Sequence, residues 1–395
     1  MSNIQIAGGG IGGLAAALAC ARSGHAVTVC ERAAEVSEVG AGVQLGPNVV
    51  KLLQGWGLES ALRQVAAYPA QLQVLSATTA SQLGRLQLGA AFEQRYGAPY
   101  LTIHRADLHG LLLQAAREVP NIALYFDATL TGFAQTDELV SAEYSNDLQV
   151  ESDILVGADG GWSTVRRLLL DDGVPQPTGH LAYRAMVKQS DLPAYLRSDQ
   201  VTAWLGPRLH VVQYPVRGGT WLNVVAIVHG QVQGEMSHWD HSANATDLQQ
   251  YMQVACKQLR DLIGAIGYWR LWPLSIRPPM QGAHEHAKER VVLLGDAAHP
   301  MLPYLAQGAG MAIEDASALA WALATPTNQP NGVAQQLQRY AQARWQRNAQ
   351  VQRRAIRNGK IFHATGLLRW GRNTAMRLLG ERLLDLPWLY GGAYR

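Results

Sequence analysis

The sequence predicts an α/β fold, in which a Rossmann-like dinucleotide-binding domain carries an inserted mixed β-sheet domain and a C-terminal helical segment. Three observations lead to this prediction. A glycine-rich strand, turn and helix open the chain at residues 4–31. The same strand-to-helix pattern returns at residues 153–166 and 291–315. Between residues 175 and 272 the alternation is replaced mainly by successive strands, which indicates a separate domain.

The length of the chain also favours more than one domain. Its 395 residues exceed the size at which a single hydrophobic core usually stops growing. We expect residues 1–174 and 273–338 to form the dinucleotide-binding domain, and residues 175–272 to form the inserted sheet domain. Residues 339–395 are expected to be the helical segment.

The cysteines argue against a disulfide framework or a zinc site. Cys20, Cys30 and Cys256 are far apart and show no C-x-x-C spacing, which favours a reducing cytoplasm. Residues 14–21 form a short apolar stretch, but no basic segment precedes them, so we expect no cleaved signal peptide. No integral membrane segment is expected either.

The charge is concentrated at the C-terminal end. From Arg339 onward, eleven arginines and one lysine stand against Glu381 and Asp385 only. Such a tail could bind nucleic acid or anionic lipid. Apolar residues such as Trp345 and Leu367 alternate with the arginines, which favours amphipathic helices docked on the body of the protein. We therefore expect no nucleic-acid partner, and an apolar, arginine-rich tail makes a homodimer plausible.

The opening segment has the spacing of a dinucleotide-binding unit. Gly8, Gly10 and Gly13 follow a short apolar strand and begin a helix, and Glu31 ends the next strand. Gly8 would permit the tight turn, Gly10 would let the backbone approach a pyrophosphate, and Gly13 would allow close packing of helix on strand. The carboxylate of Glu31 would accept hydrogen bonds from ribose hydroxyls.

Two further strand ends carry an acid beside glycines. Asp159 follows one apolar strand, in a segment where Ser163 or Thr164 can cap the next helix. Asp296 follows another strand, and Gly308 begins the helix after it, whose N-terminus would attract negative charge.

A second glycine-rich loop and an unusually placed arginine complete the candidate binding segments. The loop at residues 39–48 could lie flat against a planar ring, although a plain surface turn is equally consistent with it. Arg105 begins a helix, where the helix dipole disfavours a positive charge, so it is expected to serve an anion such as pyrophosphate.

These motifs together resemble the single-component FAD-dependent aromatic hydroxylases, of the class of salicylate and 3-hydroxybenzoate hydroxylases. The resemblance spans nearly the whole chain and depends most on two sequences, GADGGWSTVR and GDAAHPMLPYLAQGAGMAIEDA. It implies FAD as cofactor and NADH or NADPH as co-substrate. The FAD-binding residues that it implies are Gly8, Gly10, Gly13, Glu31, Arg32, Val43, Gln44, Arg105, Asp159, Asp296, Gly308, Gly310 and Met311.

One strand of the inserted domain carries the candidate catalytic residues. His210, Val212 and Tyr214 would share one face, with about 13 Å between the first and the last at roughly 3.3 Å per residue. This spacing would leave room for one aromatic ring, although His210 and Tyr214 are also compatible with ordinary core positions. The resemblance favours a catalytic role, with His210 as base or proton relay and Tyr214 orienting the substrate oxygen.

The reaction that the resemblance implies is hydroxylation of a phenolic aromatic carboxylate by O₂ through a C4a-hydroperoxyflavin. Val212, Pro303 and Tyr304 would face the substrate. Salicylate and 3-hydroxybenzoate types are expected first, and a heteroaromatic ring of the 6-hydroxynicotinate type, a polycyclic ring or a quinone precursor is the alternative. A non-catalytic FAD-binding module is the alternative of another class. The sequence does not rank Arg184, Arg208 and Arg217 as holders of the carboxylate.

Two other chemistries are disfavoured. No G-x-S-x-G elbow is present for a serine hydrolase. His284 and His286 flank Glu285, but this charged turn is expected to be a solvated loop, so no metal site is predicted.

Overall fold

The computed structural model describes residues 1–34, 41–230, 241–324 and 332–392. Its strands are β1 (Asn3–Ala7), β2 (Ala26–Cys30), β3 (Gly42–Leu45), β4 (Gln71–Ser76), β5 (Gln82–Gln87), β6 (Leu101–His104), β7 (Ile122–Tyr125), β8 (Leu130–Gln135), β9 (Val140–Tyr144), β10 (Gln149–Ser152), β11 (Ile154–Gly157), β12 (Gln176–Lys188), β13 (Val201–Gly206), β14 (Leu209–Val216), β15 (Trp221–His229), β16 (His241–Asn244), β17 (Tyr268–Ile276), β18 (Ala287–Lys288) and β19 (Val291–Leu293). Its α-helices are α1 (Ile11–Arg22), α2 (Pro47–Gly55), α3 (Glu59–Val65), α4 (Ala90–Tyr96), α5 (Arg105–Arg117), α6 (Thr164–Leu170), α7 (Ala245–Tyr251), α8 (Lys257–Gly264), α9 (Gly308–Ala324), α10 (Gly332–Phe362), α11 (Gly366–Leu379), α12 (Glu381–Leu384) and α13 (Pro387–Tyr390).

The dinucleotide-binding half is built on a sheet with the order β18-β19-β11-β1-β2-β7. All neighbours except β18 and β19 are parallel, and Ala7 is in register with both Cys30 and Gly157, which in turn is in register with Leu293. The carboxyl ends of β1, β2, β11 and β19 therefore lie along one edge. Ligands of open parallel sheets bind at this edge, so the register brings the three glycine-and-acid motifs together. The α/β class and the Rossmann-type unit are confirmed.

The second large sheet is mainly antiparallel and has the order β16-β17-β12-β15-β14-β13-β4-β5. Residues 217–220 form the hairpin turn between β14 and β15, and Arg217, Gly218 and Gly219 there have positive φ. The sheet also recruits β4 and β5, which precede residue 175, through the parallel pairing of β4 with β13. The boundaries at residues 174, 272 and 338 stay predictions.

The C-terminal helices dock on the body, as expected from their apolar residues. Helix α10 packs on α9, and its Arg344 is fully buried between Glu314 (2.8 Å) and Asp315 (2.7 Å). This part of the basic charge therefore stabilises the interior and is not available to a polyanion. In contrast, Leu367 and Trp370 of α11 are exposed. Among the helices of the described residues, none has both the length and the apolar character needed to cross a bilayer.

Candidate active site

The first glycine motif forms a cradle at the carboxyl end of β1. A Cβ on Gly13 would lie 1.9 Å from the carbonyl oxygen of Gly8, whereas a Cβ on Gly10 would meet none of the described residues within 4 Å. Position 13 therefore needs glycine for packing, and Gly10 leaves open space where a pyrophosphate could approach. The Glu31 carboxylate accepts from the backbone N–H of Gly9 (2.6 Å) and that of Ala33 (2.9 Å), which fixes it beside this space. Arg32 is exposed next to it.

The acid of the second glycine motif holds the start of the helix that follows it. Asp159 accepts from the backbone N–H groups of Thr164 (2.7 Å) and Val165 (3.1 Å) and from the Ser163 hydroxyl, and Ser163 caps α6 as predicted. Burial raises the pKa of Asp159, and these hydrogen bonds oppose the rise. Its carboxylate is thus engaged in holding the start of α6, and a cofactor contact would be an additional role.

Arg166 of α6 has a structural role that its sequence position does not reveal. Its guanidinium is buried and donates to the carbonyl oxygens of Ala297 (3.2 Å) and Ala298, while its Nε donates to Asp172 (2.8 Å). The arginine therefore ties the second motif to the loop after β19.

The third motif presents a carboxylate and a helix start to a cleft. Asp296 is accessible within this cleft, where the surrounding protein raises its pKa and electrostatic interactions with Arg105 and His299 oppose the rise. A Cβ on Gly308 would meet only the Asp296 carboxylate, at 4.0 Å. Accessible groups and open space therefore fit a ribitol chain and the edge of a flavin here.

Two of the implied residues at this helix start are more enclosed. A Cβ on Gly310 would come within 3.0 Å of Val49, which explains the need for glycine there. The Met311 side chain is fully buried in the core. A contact between Met311 and a flavin would therefore involve its backbone.

The loop that could lie against a planar ring contacts the inserted sheet. Val39 and Gly40 lie outside the described residues, and Gly42, Val43 and Gln44 form β3, which pairs with β6. The Gly42 N–H donates to the side chain of Asn223 (2.7 Å). The Tyr100 hydroxyl donates to Gln44 (2.7 Å). This loop therefore joins the candidate flavin site to the candidate substrate site.

The inner face of the large sheet contains one row of accessible residues. Arg184, Val225, Val212 and Ala203 are direct cross-strand partners on β12, β15, β14 and β13. All four are partly accessible, whereas their neighbours along β13, β14 and β15 on the same face are buried. Across β13, β14, β15 and β12 the row thus forms a pocket floor that is apolar except for Arg184, whose partner on β17, Arg270, is also partly accessible.

His210 and Tyr214 bound this floor on β14, one on each side of Val212. Burial lowers the pKa of His210 to about 3, with the neighbouring His180 adding to the effect. Burial also raises the pKa of Tyr214, although the charge of Arg184 and a hydrogen bond with Gln44 oppose the rise. Near pH 7 the imidazole of His210 is therefore neutral, and the Tyr214 hydroxyl keeps its proton.

Tyr304 packs against His210 and against the inner face of the large sheet. Its ring centroid is 5.2 Å from that of His210, and its hydroxyl is hydrogen-bonded to Nδ1 of His180. Pro303 begins the short turn that carries Tyr304, and Tyr304 packs in one apolar cluster with Val225 and Ile227 of the sheet. The Pro303–Leu305 turn therefore lies against the inner face, as a substrate-facing segment requires.

The structure distinguishes the three candidate arginines. Arg217 is paired with Asp107 (2.8 Å), and Arg208 is exposed at a turn. The Arg184 guanidinium stacks 4.9 Å from the centre of the Trp272 ring, and its buried Nε has no hydrogen-bond partner among the described residues. Burial lowers its pKa, and the charge of Arg105 adds to this effect. Of the three arginines, Arg184 is therefore the best candidate to pair with an anionic ligand.

Sequence reasoning missed a group of histidines at the end of the inner face. His180 and His229 are cross-strand partners, and His363 joins them from beyond α10. Nothing in their sequence spacing could reveal this, because the contacts join residues up to 183 positions apart. The expectation of a solvated loop at residues 284–286 was wrong for His286. That imidazole is fully buried and hydrogen-bonded to Asn348 (3.1 Å), whereas His284 is exposed.

Comparison with known proteins agrees with this geometry. The model of the FAD binding domain family matches residues 1–355. The chain is 37% identical to 3-hydroxybenzoate 6-hydroxylase of Polaromonas naphthalenivorans (strain CJ2), covering 98% of this chain and 95% of the relative. It is 34% identical to 6-hydroxynicotinate 3-monooxygenase of Bordetella bronchiseptica (strain ATCC BAA-588 / NCTC 13252 / RB50), covering 89% of each. A solved salicylate hydroxylase substrate complex superposes with a TM-score of 0.84 at 25% identity, covering 100% of this chain and 96% of that one. The chain therefore belongs to the FAD binding domain family and is a flavin-dependent enzyme of the single-component aromatic hydroxylase type.

Proposed function

We propose that the enzyme hydroxylates a phenolic benzoate of the 3-hydroxybenzoate type, using NADH or NADPH and O₂. The observation that carries the proposal is the pocket floor of Arg184, Val225, Val212 and Ala203. It crosses β14 at Val212, with His210 on one side and Tyr214 on the other. An apolar floor with a cation at one end and hydrogen-bonding groups on both sides fits an aromatic ring that bears a carboxylate and a hydroxyl group. The similarity to a 3-hydroxybenzoate 6-hydroxylase supports the same substrate class.

The floor suggests how the substrate would be oriented. Arg184 and Val212 are two strands apart, or about 10 Å at the usual spacing between strands. A carboxylate paired with Arg184 would satisfy its buried Nε and place the ring over Val225 and Val212. The ring hydroxyl would then lie within reach of His210.

The side chains of the pocket divide the work around the bound ring. FAD, when bound and reduced by NAD(P)H, supplies the activated oxygen. His210 accepts the proton of the substrate hydroxyl, because its neutral imidazole has a lone pair, and the electron-rich phenolate that remains is the reactive form of the ring. Tyr214 donates a hydrogen bond to a substrate oxygen, and the apolar floor excludes water.

The co-substrate and the cell compartment are part of the same proposal. Arg105, which begins α5, would serve the FAD pyrophosphate, so other arginines near the entrance would contact NAD(P)H. All three cysteines are free, which supports a reducing cytoplasm. We also propose a homodimer, in which the exposed apolar face of α11 would be covered.

The substrate class is tested by titrating the FAD-loaded enzyme with 3-hydroxybenzoate, salicylate, 4-hydroxybenzoate and 6-hydroxynicotinate while recording the flavin absorption spectrum. The proposal predicts the tightest binding and the largest stimulation of NAD(P)H oxidation with 3-hydroxybenzoate. A clear preference for 6-hydroxynicotinate would favour the second candidate, which the similarity to a 6-hydroxynicotinate monooxygenase supports. Binding of FAD without any ligand-stimulated oxidation would contradict both.

A further inference from the structure

Four histidines from separate parts of the chain converge beside the proposed substrate pocket. His180 and His229 face each other on β12 and β15, His210 lies on β14, and His363 follows α10. The centroid of the His363 ring lies 5.0 Å from the ring centroid of each of the other three histidines. Among the described residues, the hydrogen bonds of these imidazoles run to one another and to Tyr304.

Three of these imidazoles form a continuous line from the pocket to the surface. A hydrogen bond of 2.7 Å joins Nδ1 of His210 to Nε2 of His363, and a second of 2.9 Å joins Nδ1 of His363 to Nε2 of His229. His210 is only 2% exposed, whereas His229 is exposed. The middle ring uses both of its nitrogens, so it connects the buried ring to the accessible one.

We propose that His210, His363 and His229 form a proton wire that carries the proton of the substrate hydroxyl from the buried pocket to solvent. This inference rests on the proposed function, because the phenol supplies the proton. It assigns positioning and relay roles to His363 and His229, which act through His210 and do not touch the substrate.

The transfers balance at every ring. At the start, Nδ1–H of His210 donates to His363, and Nδ1–H of His363 donates to His229, which leaves Nε2 of His210 as an acceptor. The substrate O–H bond then breaks and its proton forms an N–H bond at Nε2 of His210. The Nδ1 proton of His210 moves to Nε2 of His363, and the Nδ1 proton of His363 moves to Nε2 of His229. The Nδ1 proton of His229 passes to water. Every imidazole gains one proton and loses one, the substrate becomes a phenolate, and no electrons are exchanged.

The surroundings disfavour retention of the proton on the wire. Burial lowers the pKa of His363 to about 2, and the nearby histidines and the charge of Arg372 add to this effect. Burial and then the charge of Arg208 lower the pKa of His229. Among the described residues, His180 and the hydroxyl of Tyr304 also lie against the wire. A base that cannot hold a proton needs a path along which to pass it on, and the line of imidazoles supplies one.

A metal ion is the competing explanation for the cluster. Donor nitrogens of His180, His229 and His363 lie within 4.8 Å of one another. However, ligands direct their nitrogens at a common centre, whereas the bonded nitrogens here are directed at each other at hydrogen-bond lengths. The arrangement therefore favours the wire.

The test measures proton release when the FAD-loaded enzyme is mixed with 3-hydroxybenzoate in weakly buffered solution containing a pH indicator. His363→Leu and His229→Gln should each slow proton release by about 10²-fold, the lower end of the range for lost proton-transfer groups. The affinity for 3-hydroxybenzoate, read from the flavin spectrum, should stay close to that of the wild type. His284→Gln, at an exposed histidine outside the cluster, should release protons at the wild-type rate.

Chemical rescue separates relay from structural support. Added imidazole should restore fast release to His229→Ala, whose site is open to solvent, but not to His363→Leu. Unchanged release rates in both the His363 and His229 variants would overturn the proposal. So would one tightly bound transition-metal ion per chain that is lost in His229→Gln.

A measurement without substrate keeps the wire distinguishable from the proposed function. Nitrogen-15 spectra of histidine-labelled enzyme at pH 7 should show three neutral imidazoles, each with one protonated nitrogen. A charged imidazole in the line would contradict the wire. If no hydroxybenzoate binds, the proposed function fails, while these spectra still decide whether the imidazoles are joined as described.

Discussion

Gly42 of the flavin-side loop lies directly against Tyr214 of the inserted sheet, and a Cβ on Gly42 would come within 2.5 Å of Cε2 of the tyrosine ring. The same glycine donates its backbone N–H to Asn223, the cross-strand neighbour of Tyr214. The two halves of the proposed active site are thus packed together with no room for a methyl group. The position of the flavin loop and that of the substrate floor are therefore coupled.

Gly42→Ala should consequently disturb both halves at once. We expect the tyrosine ring to shift, the free energy of unfolding to fall by about 1–3 kcal/mol as for other overpacked sites, and NAD(P)H oxidation to become less well coupled to hydroxylation. Urea unfolding and the ratio of product to NAD(P)H consumed measure these effects. Gly55→Ala is the matched control, because a Cβ there meets nothing within 4 Å. Wild-type coupling in Gly42→Ala would show that the contact does not matter to catalysis.

His210→Ala should separate flavin binding from substrate activation. The imidazole belongs to the inner face of the large sheet and not to the glycine motifs, so the FAD absorption spectrum should persist. Hydroxylation should fall by about 10²-fold or more, the usual scale for loss of a general base. Product formation near pH 7 is the measurement. Turnover equal to that of the wild type would mean that another group activates the phenol.

Arg184→Met tests the proposed carboxylate contact while keeping an apolar side chain beside Trp272. Loss of a buried charged hydrogen bond should weaken binding of 3-hydroxybenzoate by about 1.5–3 kcal/mol, or roughly 10- to 150-fold. Binding of phenol, which has no carboxylate, should change little. Arg63→Gln is the control, since Arg63 is exposed and paired with Glu59. Equal weakening for both ligands would place the role of Arg184 elsewhere.

The buried and half-buried histidines should make the fold sensitive to mild acid. Burial lowers the pKa of His180 and His286 to about 4, of His210 to about 3 and of His363 to about 2, whereas an unfolded histidine titrates near 6.5. Below pH 6.5 the unfolded chain thus binds more protons than the folded one. The contribution of these groups to stability is complete above pH 6.5 and declines as the pH falls toward the folded-state values.

Thermal unfolding between pH 7.5 and 4.5 measures this decline. Unfolded carboxyl groups titrate near pH 4, so the histidines should dominate the upper part of this range. His363→Leu should unfold with a shallower pH dependence than the wild type, and His284→Gln with the same one. A midpoint that is constant from pH 7 to 5 would contradict the buried, neutral state of the cluster.

The sequence was informative where function depends on short segments and uninformative where it depends on distant ones. Gly8, Gly13 and Ser163 have the roles that their spacing predicts, because turns and caps are local. The approach of His363 to His210 depends on docking of the C-terminal helices, for which no spacing rule exists. The recruitment of β4 and β5 to the inserted sheet likewise depends on tertiary pairing. The placements of Asp159 and Met311 show that a residue of a binding motif can also be committed to the scaffold.

Coupled turnover decides whether the pocket floor of Arg184, Val225, Val212 and Ala203 holds a hydroxybenzoate ring for oxygen transfer. The FAD-loaded enzyme is given NAD(P)H, O₂ and 3-hydroxybenzoate, and the products are separated and identified. We expect a dihydroxybenzoate in an amount close to that of the NAD(P)H oxidised. Oxidation that yields only hydrogen peroxide with every hydroxybenzoate, although FAD is bound, would contradict it.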